Sequence, residues 1–429
     1  MSTTVPRQCV VHLKKPHDKQ LLFLRSPAKR KIIRAGRRGG KTTGLAILAV
    51  EEFLKGRRIL YGAPTAEQIA RFWTEVKMAL REPVEAGAFT KNETLHIIER
   101  EGTEQRIRAK TAWNADTLRG DYADLLILDE WQLMDEQAWE TVGAPMLLDN
   151  NGDAVFIYTP PSFASRSATK ARDPRHAAKM FKRALADRSG RWEAFHFTSH
   201  DNPHISEEAL GDISRDMSIL AVRQEINAED LDEAPGALWK AAWIDDHRRE
   251  LWPELVRIAV AVDPAVSDPT ATKTDEVGIV AGGLGADGHG YIMRDASGLF
   301  NVDDWAKKGV EIYYLYNADE VVAEKNNGGD LVEKNFRVED PNVPVKLVWA
   351  SRGKVKRADP VAVLYSKGLI HHVGNFPELE AEMLLFTPGE EFKRSPNRAD
   401  ALVWLLWRLF IEPRRKIDWL TGKRLEAVG

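Results

Sequence analysis

Residues 31–42 read KIIRAGRRGGKT, and this stretch decides the fold of the first half of the chain. A short, mostly apolar run leads into a glycine-rich turn, and the following stretch, TTGLAILAVEEFLKG, has the periodicity of a helix. A strand, turn and helix in this order bring backbone N–H groups to a helix N terminus, which is a favourable place for a phosphate. The stretch therefore predicts a phosphate-binding loop in an α/β domain. The alternative is a basic glycine turn at the protein surface.

The loop fits the Walker A pattern except at its first position, where Ala35 replaces the usual glycine. We expect the backbone N–H groups of Gly39, Gly40 and Lys41 to face a phosphate. The Lys41 ammonium would reach the β- and γ-phosphates of ATP, and the Thr42 hydroxyl would hold Mg²⁺. The departure at Ala35 is mild, because alanine is the smallest alternative to glycine.

A second motif has the character of a Walker B strand. Residues 125–130 read LLILDE, so that a buried strand would carry two acids to the same sheet edge as the loop. Asp129 would assist in binding Mg²⁺, and Glu130 would act as general base toward the attacking water. This pair favours ATP hydrolysis. The alternative is a pair of acids that caps the next helix.

Weaker signals surround these two motifs. Gln20 either reads the adenine edge or is a solvent-facing helix residue. Thr159 ends a strand beside the expected site and would sense the γ-phosphate, although a Thr-Pro-Pro strand exit explains it nearly as well. Arg37, Arg38 and Arg119 are candidates for stabilising transition-state charge, and the sequence does not choose among them.

The first half has the rhythm of an α/β domain. Its strands are predicted at 31–35, 57–64, 123–130 and 153–160. These runs are continuously apolar, which is typical of a parallel sheet covered on both faces by helices. The sequence after Thr159 is polar and predicts few strands, with a charged helical stretch from about residue 206 to 230.

A change in composition marks the boundary between two domains. The segment 230–240 combines acids with Pro235 and Gly236, as linkers often do. We therefore predict three parts, which are a P-loop ATPase domain at 1–232, a linker at 233–250 and a second domain at 251–429.

The second half follows a different pattern. Three predicted strands at 257–265, 276–284 and 290–297 are joined by short turns rich in Gly and Asp, so they should form an antiparallel meander. A helix at 302–316, strands at 319–325 and 345–351, and helices through 398–410 follow. This order of elements is that of an RNase H-like fold.

Three acids in this half are candidates for metal-dependent catalysis. Asp263 and Glu324 each close an apolar strand, and Asp400 opens an apolar helix. In an RNase H-like order these positions converge, and three carboxylates suit two divalent metal ions that cleave a phosphodiester. Each acid alone could equally be a turn or cap residue. Asp268 and Asp275 are lower-ranked candidates, either as additional ligands or as loop acids.

Basic residues in the second half could bind a phosphate backbone. The densest cluster is Arg352, Lys354, Lys356 and Arg357, for which a solvated loop is the competing interpretation. The Trp and Leu side chains of 402–410 lie on an apolar helix, so we assign them to the core.

Composition limits the class of protein. A chain of 429 residues with 43% hydrophobic and 29% charged residues is an ordered globular protein of two or three domains. A net charge of −3 means that any nucleic-acid binding needs a local basic patch. The lone cysteine, Cys9, and the lack of a signal-like or membrane-spanning apolar stretch predict a reducing cytoplasm.

Taken together, the chain resembles the large terminase subunits of tailed bacteriophages along nearly its whole length. The resemblance rests on AGRRGGKT, LLILDE and YTPP in the first half, and on VAVDPA, TDEVGIVAGG, VVAEKNNGGD, KVKRADPVAVLY and SPNRADALVW in the second. It implies ATP-driven translocation of double-stranded DNA into a procapsid, and a nuclease that cuts concatemers. The cofactors would be ATP and Mg²⁺, with Mn²⁺ substituting at the nuclease site.

The resemblance also implies partners. These are double-stranded DNA, a small terminase subunit, the portal protein and further copies of the chain in a ring, all in the host cytoplasm. In this view Lys41, Thr42, Asp129 and Glu130 supply force, while Asp263, Glu324 and Asp400 cut only at initiation and completion. The alternatives are an ATP-dependent helicase or repair nuclease, and a nucleotide-regulated DNA-binding assembly factor.

Overall fold

Two sheets organise the chain in the computed structural model, one in each of the units Met1–Leu231 and Asp232–Gly429. The residues that the structure describes are 9–162, 169–264, 276–300, 304–325, 329–349, 353–388 and 395–412. Within these ranges, none of the helices has the length and apolar character needed to span a bilayer.

The sheet of the first unit has eight strands. They are β1 (Arg30–Ala35), β2 (Arg58–Ala63), β3 (Thr90–Asn92), β4 (Ile97–Glu99), β5 (Arg106–Thr111), β6 (Leu125–Leu128), β7 (Asp153–Tyr158) and β8 (Trp192–Phe197). Their spatial order is β3-β4-β5-β2-β6-β7-β1-β8. From β5 to β8 every neighbouring pair is parallel, whereas β3 and β4 form antiparallel pairs at one end.

Helices cover both faces of this sheet. They are α1 (Asp18–Arg25), α2 (Lys41–Leu54), α3 (Ala66–Ala79), α4 (Arg81–Glu85), α5 (Ala144–Met146), α6 (His176–Ala186), α7 (Glu207–Asp216) and α8 (Ile219–Ala221). Successive residues of a strand point to opposite faces, so Ile33 packs with α2 and α3 while Ile32 packs with α6. Both faces are buried, which explains the continuous apolar runs and confirms the predicted parallel sheet.

Four strands of this sheet are absent from our prediction. The described part of the stretch after Thr159 contains one strand, β8, which agrees with the expectation of few strands there although β8 itself was not predicted, and β3 to β5 were also missed. These strands lack a continuous apolar run. In β5, for example, Arg108 and Lys110 alternate with buried residues, and each places a cationic nitrogen 2.9 Å from the carboxylate of Asp121. The alternation of period two was the available signal.

The sheet of the second unit has six strands. They are β9 (Leu255–Asp263), β10 (Gly278–Gly285), β11 (Gly290–Asp295), β12 (Glu320–Glu324), β13 (Val345–Val348) and β14 (Ile370–His372). Their order is β13-β12-β9-β10-β11-β14. β9, β10 and β11 form the predicted antiparallel meander, and β12 and β13 add in parallel beside β9. The predicted RNase H-like fold is confirmed, and the short β14, parallel to β11, is an addition to it.

The helices of the second unit alternate with its later strands. They are α9 (Ala241–Asp245), α10 (Asp304–Leu315), α11 (Gly329–Glu339), α12 (Lys354–Ser366), α13 (Pro377–Leu385) and α14 (Asn397–Leu406). α10 and α11 pack on one face of the sheet, and α14 packs against β9 and β10.

The segment that we predicted as a linker, 233–250, is part of the second unit. Trp239 is fully buried, and its ring lies edge-on to Phe386 with the centroids 5.3 Å apart. The backbone N–H of Ala234 donates to the carbonyl of Leu384 at 2.8 Å. Pro235 and Gly236 thus form a turn within a packed segment, and a buried tryptophan in a supposed linker was the overlooked signal.

An ion pair is buried beside this segment. The Glu380 carboxylate accepts from Arg248 at 2.7 and 3.0 Å and from His372 Nδ1 at 2.9 Å. Burial alone would raise the pKa of Glu380, but hydrogen bonds and charges from His372 and Arg248 lower it well below its ordinary value. The carboxylate is therefore ionised and stabilising at neutral pH.

Replacing Trp239 tests whether the segment 233–250 belongs to the second unit. Trp239→Ala should lower the free energy of unfolding of that unit by about 3–5 kcal/mol, because it removes a large buried side chain. Urea denaturation of the full chain measures the loss, and hydrogen exchange locates it. The control is Leu251→Ala, at an 80% exposed position, which should change stability by less than about 0.5 kcal/mol. Equal stability of the two variants would contradict the packing of this segment.

The Glu380 ion pair predicts a pH-dependent stability. Glu380→Gln should cost about 3–5 kcal/mol at pH 7, since it leaves the buried Arg248 charge uncompensated. Because the folded-state pKa of Glu380 is lowered, its contribution is present above the unfolded pKa of about 4.3 and is lost as pH falls through the folded-state value. Urea denaturation between pH 7 and pH 3 should show the gap to wild type closing below about pH 4. Glu311→Gln, at an exposed ion pair, should show no such convergence.

Candidate functional sites

The first candidate site lies where β1, β7 and β6 end. These strands are parallel neighbours, and parallel neighbours present their carboxyl ends at one edge of the sheet. β1 leads into the glycine-rich loop and α2, β7 is followed by Thr159, and β6 is followed by Asp129 and Glu130. The topology therefore brings the predicted loop and the predicted acids to a single edge.

The steric demand for glycine in the loop falls at Gly36. A Cβ atom there would lie 2.7 Å from the Ser199 nitrogen and would also collide with the carbonyl of Ile226. Ala35, by contrast, is the last residue of β1, and its side chain is fully buried in the core. This explains how the chain tolerates alanine where the Walker A pattern has its first glycine.

The loop backbone is shaped to hold an anion. Arg38 and Gly40 have φ values of 59° and 87°, and the Gly39 N–H donates to the Gly36 carbonyl at 3.1 Å. The 14-residue helix α2 then begins at Lys41. The first N–H groups of a helix have no partner within it, and the helix dipole favours negative charge at this end. The geometry is that of a phosphate-binding loop.

Gln20 stabilises the loop through hydrogen bonds. Its side chain is only 3% exposed, which rules out the solvent-facing alternative. The Gln20 amide donates to the Gly40 carbonyl at 2.7 Å and accepts from the His17 N–H at 2.9 Å. His17 Nε2 in turn lies 3.1 Å from the Gly39 carbonyl. In this structure the Gln20 amide contacts the loop, and the adenine contact predicted for it stays a prediction.

Two further side chains, from the segment that follows β8, hold the loop in place. The Ser199 hydroxyl donates to the carbonyl of Arg37, and the Asn202 amide donates to the carbonyl of Arg38, both at 2.6 Å. These contacts engage loop carbonyls, so the loop is held through groups that a phosphate would not use.

The three candidate arginines differ in their surroundings. The Arg37 guanidinium pairs with Glu225, and this hydrogen bond raises the pKa of Arg37. Arg38 is exposed within the loop. Arg119 is also exposed and pairs with Asp116 at 2.5 Å on a neighbouring turn. Arg37 and Arg38 thus lie in the loop itself, whereas Arg119 is held by its own local partner.

The remaining predicted residues meet at the same edge. Lys41 Nζ donates to the Thr159 hydroxyl at 2.5 Å. Burial and the neighbouring Glu130 charge raise the pKa of Asp129 to about 6, while a hydrogen bond from Tyr61 at 2.7 Å and the Lys41 charge act to lower it. Because ionising Asp129 in this buried position is unfavourable, a cation beside it would stabilise the carboxylate.

Glu130 adopts an uncommon backbone conformation. Its φ is 51°, in the left-handed region, and its N–H donates to the Asp129 carboxylate at 2.8 Å. Its own carboxylate accepts from the Gln132 amide at 2.6 Å, so it does not cap the short turn Trp131–Leu133. Non-glycine residues held in this region are concentrated at functional sites. The helix-cap alternative is therefore excluded for Glu130.

The donors at this edge fit a hard divalent cation. Thr42, in the first turn of α2, offers a hydroxyl oxygen, and Asp129 offers a carboxylate oxygen. Mg²⁺ is bound in proteins by one or two such oxygens together with substrate phosphates.

The second candidate site is built by β9, β12 and α14. Asp263 is the last residue of β9 and Glu324 the last residue of β12, and the two strands are parallel neighbours. α14 packs across β9 and carries Asp400, which is 3% exposed, in its first turn. The structure thus brings the three predicted acids to one region of the second unit.

Electrostatics show that these carboxyl groups interact. Burial raises the pKa of Asp263 well above its ordinary value, and the charges of Asp400 and Glu324 raise it further. The pKa of Asp400 is also raised, first by burial. Such mutual repulsion in a poorly solvated place is unfavourable unless cations offset it.

Two basic side chains supply that positive charge. Lys354 Nζ donates to Asp400 at 2.6 Å and to the Ser395 hydroxyl at 2.8 Å. Arg357 is 5% exposed and lies 4.0 Å from the Glu324 carboxylate. Both residues belong to the basic cluster for which the sequence predicts either phosphate-backbone binding or a solvated loop, but in this structure they contact the acids. Lys356 is part of the same helix, and Arg352 lies outside the described residues.

Trp404 contacts the site although we assigned it only to the core. It is 3% exposed, as a core residue should be, but its indole N–H donates to the Glu324 carboxylate at 2.8 Å. The Arg357 guanidinium lies over its ring at 4.7 Å. Apolar periodicity could not reveal this contact, because it depends on which strand end the helix crosses.

A buried arginine fixes the start of α14. Arg398 is 4% exposed and pairs with Asp295 at 2.7 Å, with Glu378 at 2.8 Å and with Glu276 at 3.0 Å. These carboxylates raise the pKa of Arg398 although burial acts to lower it. Because Arg398 is two residues before Asp400, this network positions Asp400. The motif NRAD contains this arginine, but no local pattern in the sequence indicated its function.

The chemistry of the three acids fits divalent cations, since all offer carboxylate oxygens. Within the described ranges, however, no three His, Cys, Asp or Glu side chains are already grouped so that they could hold a metal ion. The Lys354 ammonium instead binds Asp400 directly. Asp268 and Asp275 lie outside the described residues.

The acids of the second site fall inside a match to a known family. Residues 260–409 match the family described as the terminase RNaseH-like domain. The matched range runs from β9 to beyond α14 and contains Asp263, Glu324 and Asp400.

Curated relatives agree with this match. The large terminase subunits of Thermus virus P23-45 and Thermus phage G20c are each 29% identical to this chain over 164 residues. The aligned part is 34% of this chain and 34% of each relative, so the chain spans about a third of the length of the curated relatives it matches.

Solved structures of the same kind are also similar. The crystal structure of the HK97 bacteriophage large terminase covers 94% of this chain and 97% of its own, with 14% identity and a TM-score of 0.47. The ATPase domain of the Thermus phage P74-26 large terminase covers 51% of this chain and 94% of its own, with 24% identity and a TM-score of 0.42. Residues 260–409 of the second unit thus match the terminase RNaseH-like domain family, and the chain is similar to phage large terminase subunits over about a third of its length.

Proposed function

We propose that the chain is the ATPase and nuclease of a phage DNA-packaging motor. The observation that carries the proposal is the convergence of Lys41, Thr159, Asp129 and Glu130 at the carboxyl edge of one parallel sheet. The family match of the second unit supports the assignment of the nuclease.

In the first unit, ATP is the substrate. The loop N–H groups at Gly40 and Lys41 would bind its phosphates, and the Gly39 N–H, which donates to the Gly36 carbonyl in this structure, would have to turn from it to join them. Lys41 would bring its positive charge to the β- and γ-phosphates. Thr42 and Asp129 would hold Mg²⁺, which neutralises phosphate charge when bound. Glu130 would accept the proton of the attacking water, and Thr159 links the loop lysine to the end of β7.

In the second unit, the proposed substrate is a DNA phosphodiester. Asp263, Glu324 and Asp400 would hold divalent metal ions, which supply an activated water and stabilise the leaving oxygen. Trp404 and Arg357 orient Glu324, and Arg398 orients the helix that carries Asp400. When a metal ion binds Asp400, the Lys354 ammonium would have to move away from that carboxylate, because the two positive charges would repel each other there.

The proposed partners follow from this assignment. They are double-stranded DNA, a small terminase subunit, the portal of the procapsid and further copies of the chain in a ring, acting in the host cytoplasm. Translocation would use the ATPase continuously, and cutting would occur at initiation and completion.

Two variants separate nucleotide binding from hydrolysis. Glu130→Gln should lower the ATPase kcat by about 10²–10⁴-fold and leave ATP affinity nearly unchanged, since an amide keeps the shape but cannot accept the proton. Lys41→Ala should also weaken ATP binding, because it removes a phosphate contact. Steady-state ATPase rates and titration with a fluorescent ATP analogue measure both effects. Glu140→Gln, an exposed acid further along the chain, should behave as wild type. Near-normal turnover in Glu130→Gln would refute the assignment of the general base.

Amide substitutions test the nuclease. Asp263→Asn, Asp400→Asn and Glu324→Gln should each abolish plasmid cleavage in Mg²⁺ and Mn²⁺ while leaving ATPase activity intact, because each removes a charge needed to hold the metal ions. Conversion of supercoiled plasmid to nicked and linear forms is the measurement.

The matched control for the nuclease is Asp246→Asn, an exposed acid in the same unit, which should cut normally. Cleavage that persists in Asp263→Asn with both metals would mean that the site uses Asp268 or Asp275 instead. A wild-type chain that neither hydrolyses ATP nor cuts DNA would favour a nucleotide-regulated assembly factor.

A further inference from the structure

A buried glutamine lies beside the proposed general base of the ATPase. Gln132 follows Glu130 by two residues on the turn Trp131–Leu133, and only 5% of it is exposed. Its Nε2 donates to the Glu130 carboxylate at 2.6 Å. The proposed function assigns no role to Gln132.

The other end of the same amide lacks a partner. Within the described residues, the Gln132 Oε1 atom is buried and accepts no hydrogen bond. The amide cannot be turned around, because its oxygen would then face the Glu130 carboxylate and two acceptors would meet. Buried polar atoms are nearly always satisfied, so an orphaned carbonyl oxygen in a site is a sign of a missing donor.

Hydrogen bonds hold the backbone before and after Gln132 in place. The Gln132 carbonyl accepts from the Thr169 hydroxyl at 2.9 Å, and the Leu133 carbonyl accepts from the Lys170 N–H at 3.2 Å. Glu130, with its φ of 51°, is fixed by the hydrogen bond from its N–H to Asp129. Glu130 and Gln132 therefore form a rigid pair whose free acceptor lies next to the base.

We propose that Gln132 is a further catalytic residue of ATP hydrolysis, which positions the attacking water together with Glu130. The Nε2 group holds the Glu130 carboxylate in place, and Oε1 accepts a hydrogen bond from one O–H of the water. The other O–H then points to Glu130. The inference rests on the proposed ATPase function and names a second residue for it.

The step that this pair serves is hydrolysis of the γ-phosphoryl group. The water oxygen forms a bond to the γ-phosphorus, and the bond from that phosphorus to the bridging oxygen breaks, with its electron pair leaving on ADP. The water proton passes to Glu130. Gln132 exchanges no proton, because a neutral amide only orients the nucleophile, as a glutamine does in other nucleotide hydrolases.

Two variants at Gln132 test the proposal. Gln132→Ala removes the amide, and Gln132→Met removes its polarity while keeping nearly the same length, so that one variant remains informative if the other folds poorly. Each should lower kcat about 10–10³-fold, with KM and the affinity for a non-hydrolysable ATP analogue unchanged within about twofold. The matched control is Gln137→Ala, a half-buried glutamine on the same segment, which should keep wild-type kcat.

A double variant distinguishes catalysis from packing. If Gln132 and Glu130 act on the same water, Glu130→Gln combined with Gln132→Ala should be no slower than Glu130→Gln alone. A wild-type kcat in Gln132→Ala and Gln132→Met would overturn the proposal, as would a loss of kcat that only follows a loss of folded protein or of nucleotide affinity. Normal turnover in Glu130→Gln would instead refute the proposed function on which the inference rests.

Discussion

The parallel pairing of neighbouring strands is the constraint on which both sites depend. β6, β7 and β1 lie side by side and end at the same edge of the sheet. The acids after β6, Thr159 after β7 and the loop after β1 are therefore neighbours. The same rule applies in the second unit, where β9 and β12 are parallel and end in Asp263 and Glu324. In both units a helix that starts at this edge supplies the remaining group.

Buried charge is the second common theme. The Lys41 charge and the Tyr61 hydroxyl favour the ionised form of Asp129, and Lys354 and Arg357 favour the ionised form of the acids in the second site. Each site thus holds carboxyl groups whose pKa is raised by burial, next to cations that favour ionisation. Buried carboxyl groups with a raised pKa lower the stability of the fold, and they are concentrated where substrates and metal ions bind.

The predictable part of the molecule was the part governed by local pattern. The strands of the first half that carry the motifs are buried on both faces, so their apolar runs were visible, and the meander of the second half was marked by its turns. β8, β5 and β14 were missed because short or half-charged strands depend on neighbours for their stability. Contacts between distant residues, such as Gln20 to Gly40, Trp404 to Glu324 and Trp239 to Phe386, have no local signal.

The collision of a side chain at Gly36 with the backbone near Ile226 changes what may vary in this loop. Position 35 tolerates a methyl group, whereas position 36 tolerates none, because the neighbouring backbone already fills the space. The residue that a pattern search fixes is therefore replaceable here, and the residue that it leaves free is not. A library of substitutions across the loop would recover function at position 35 from small residues, and at position 36 from glycine alone.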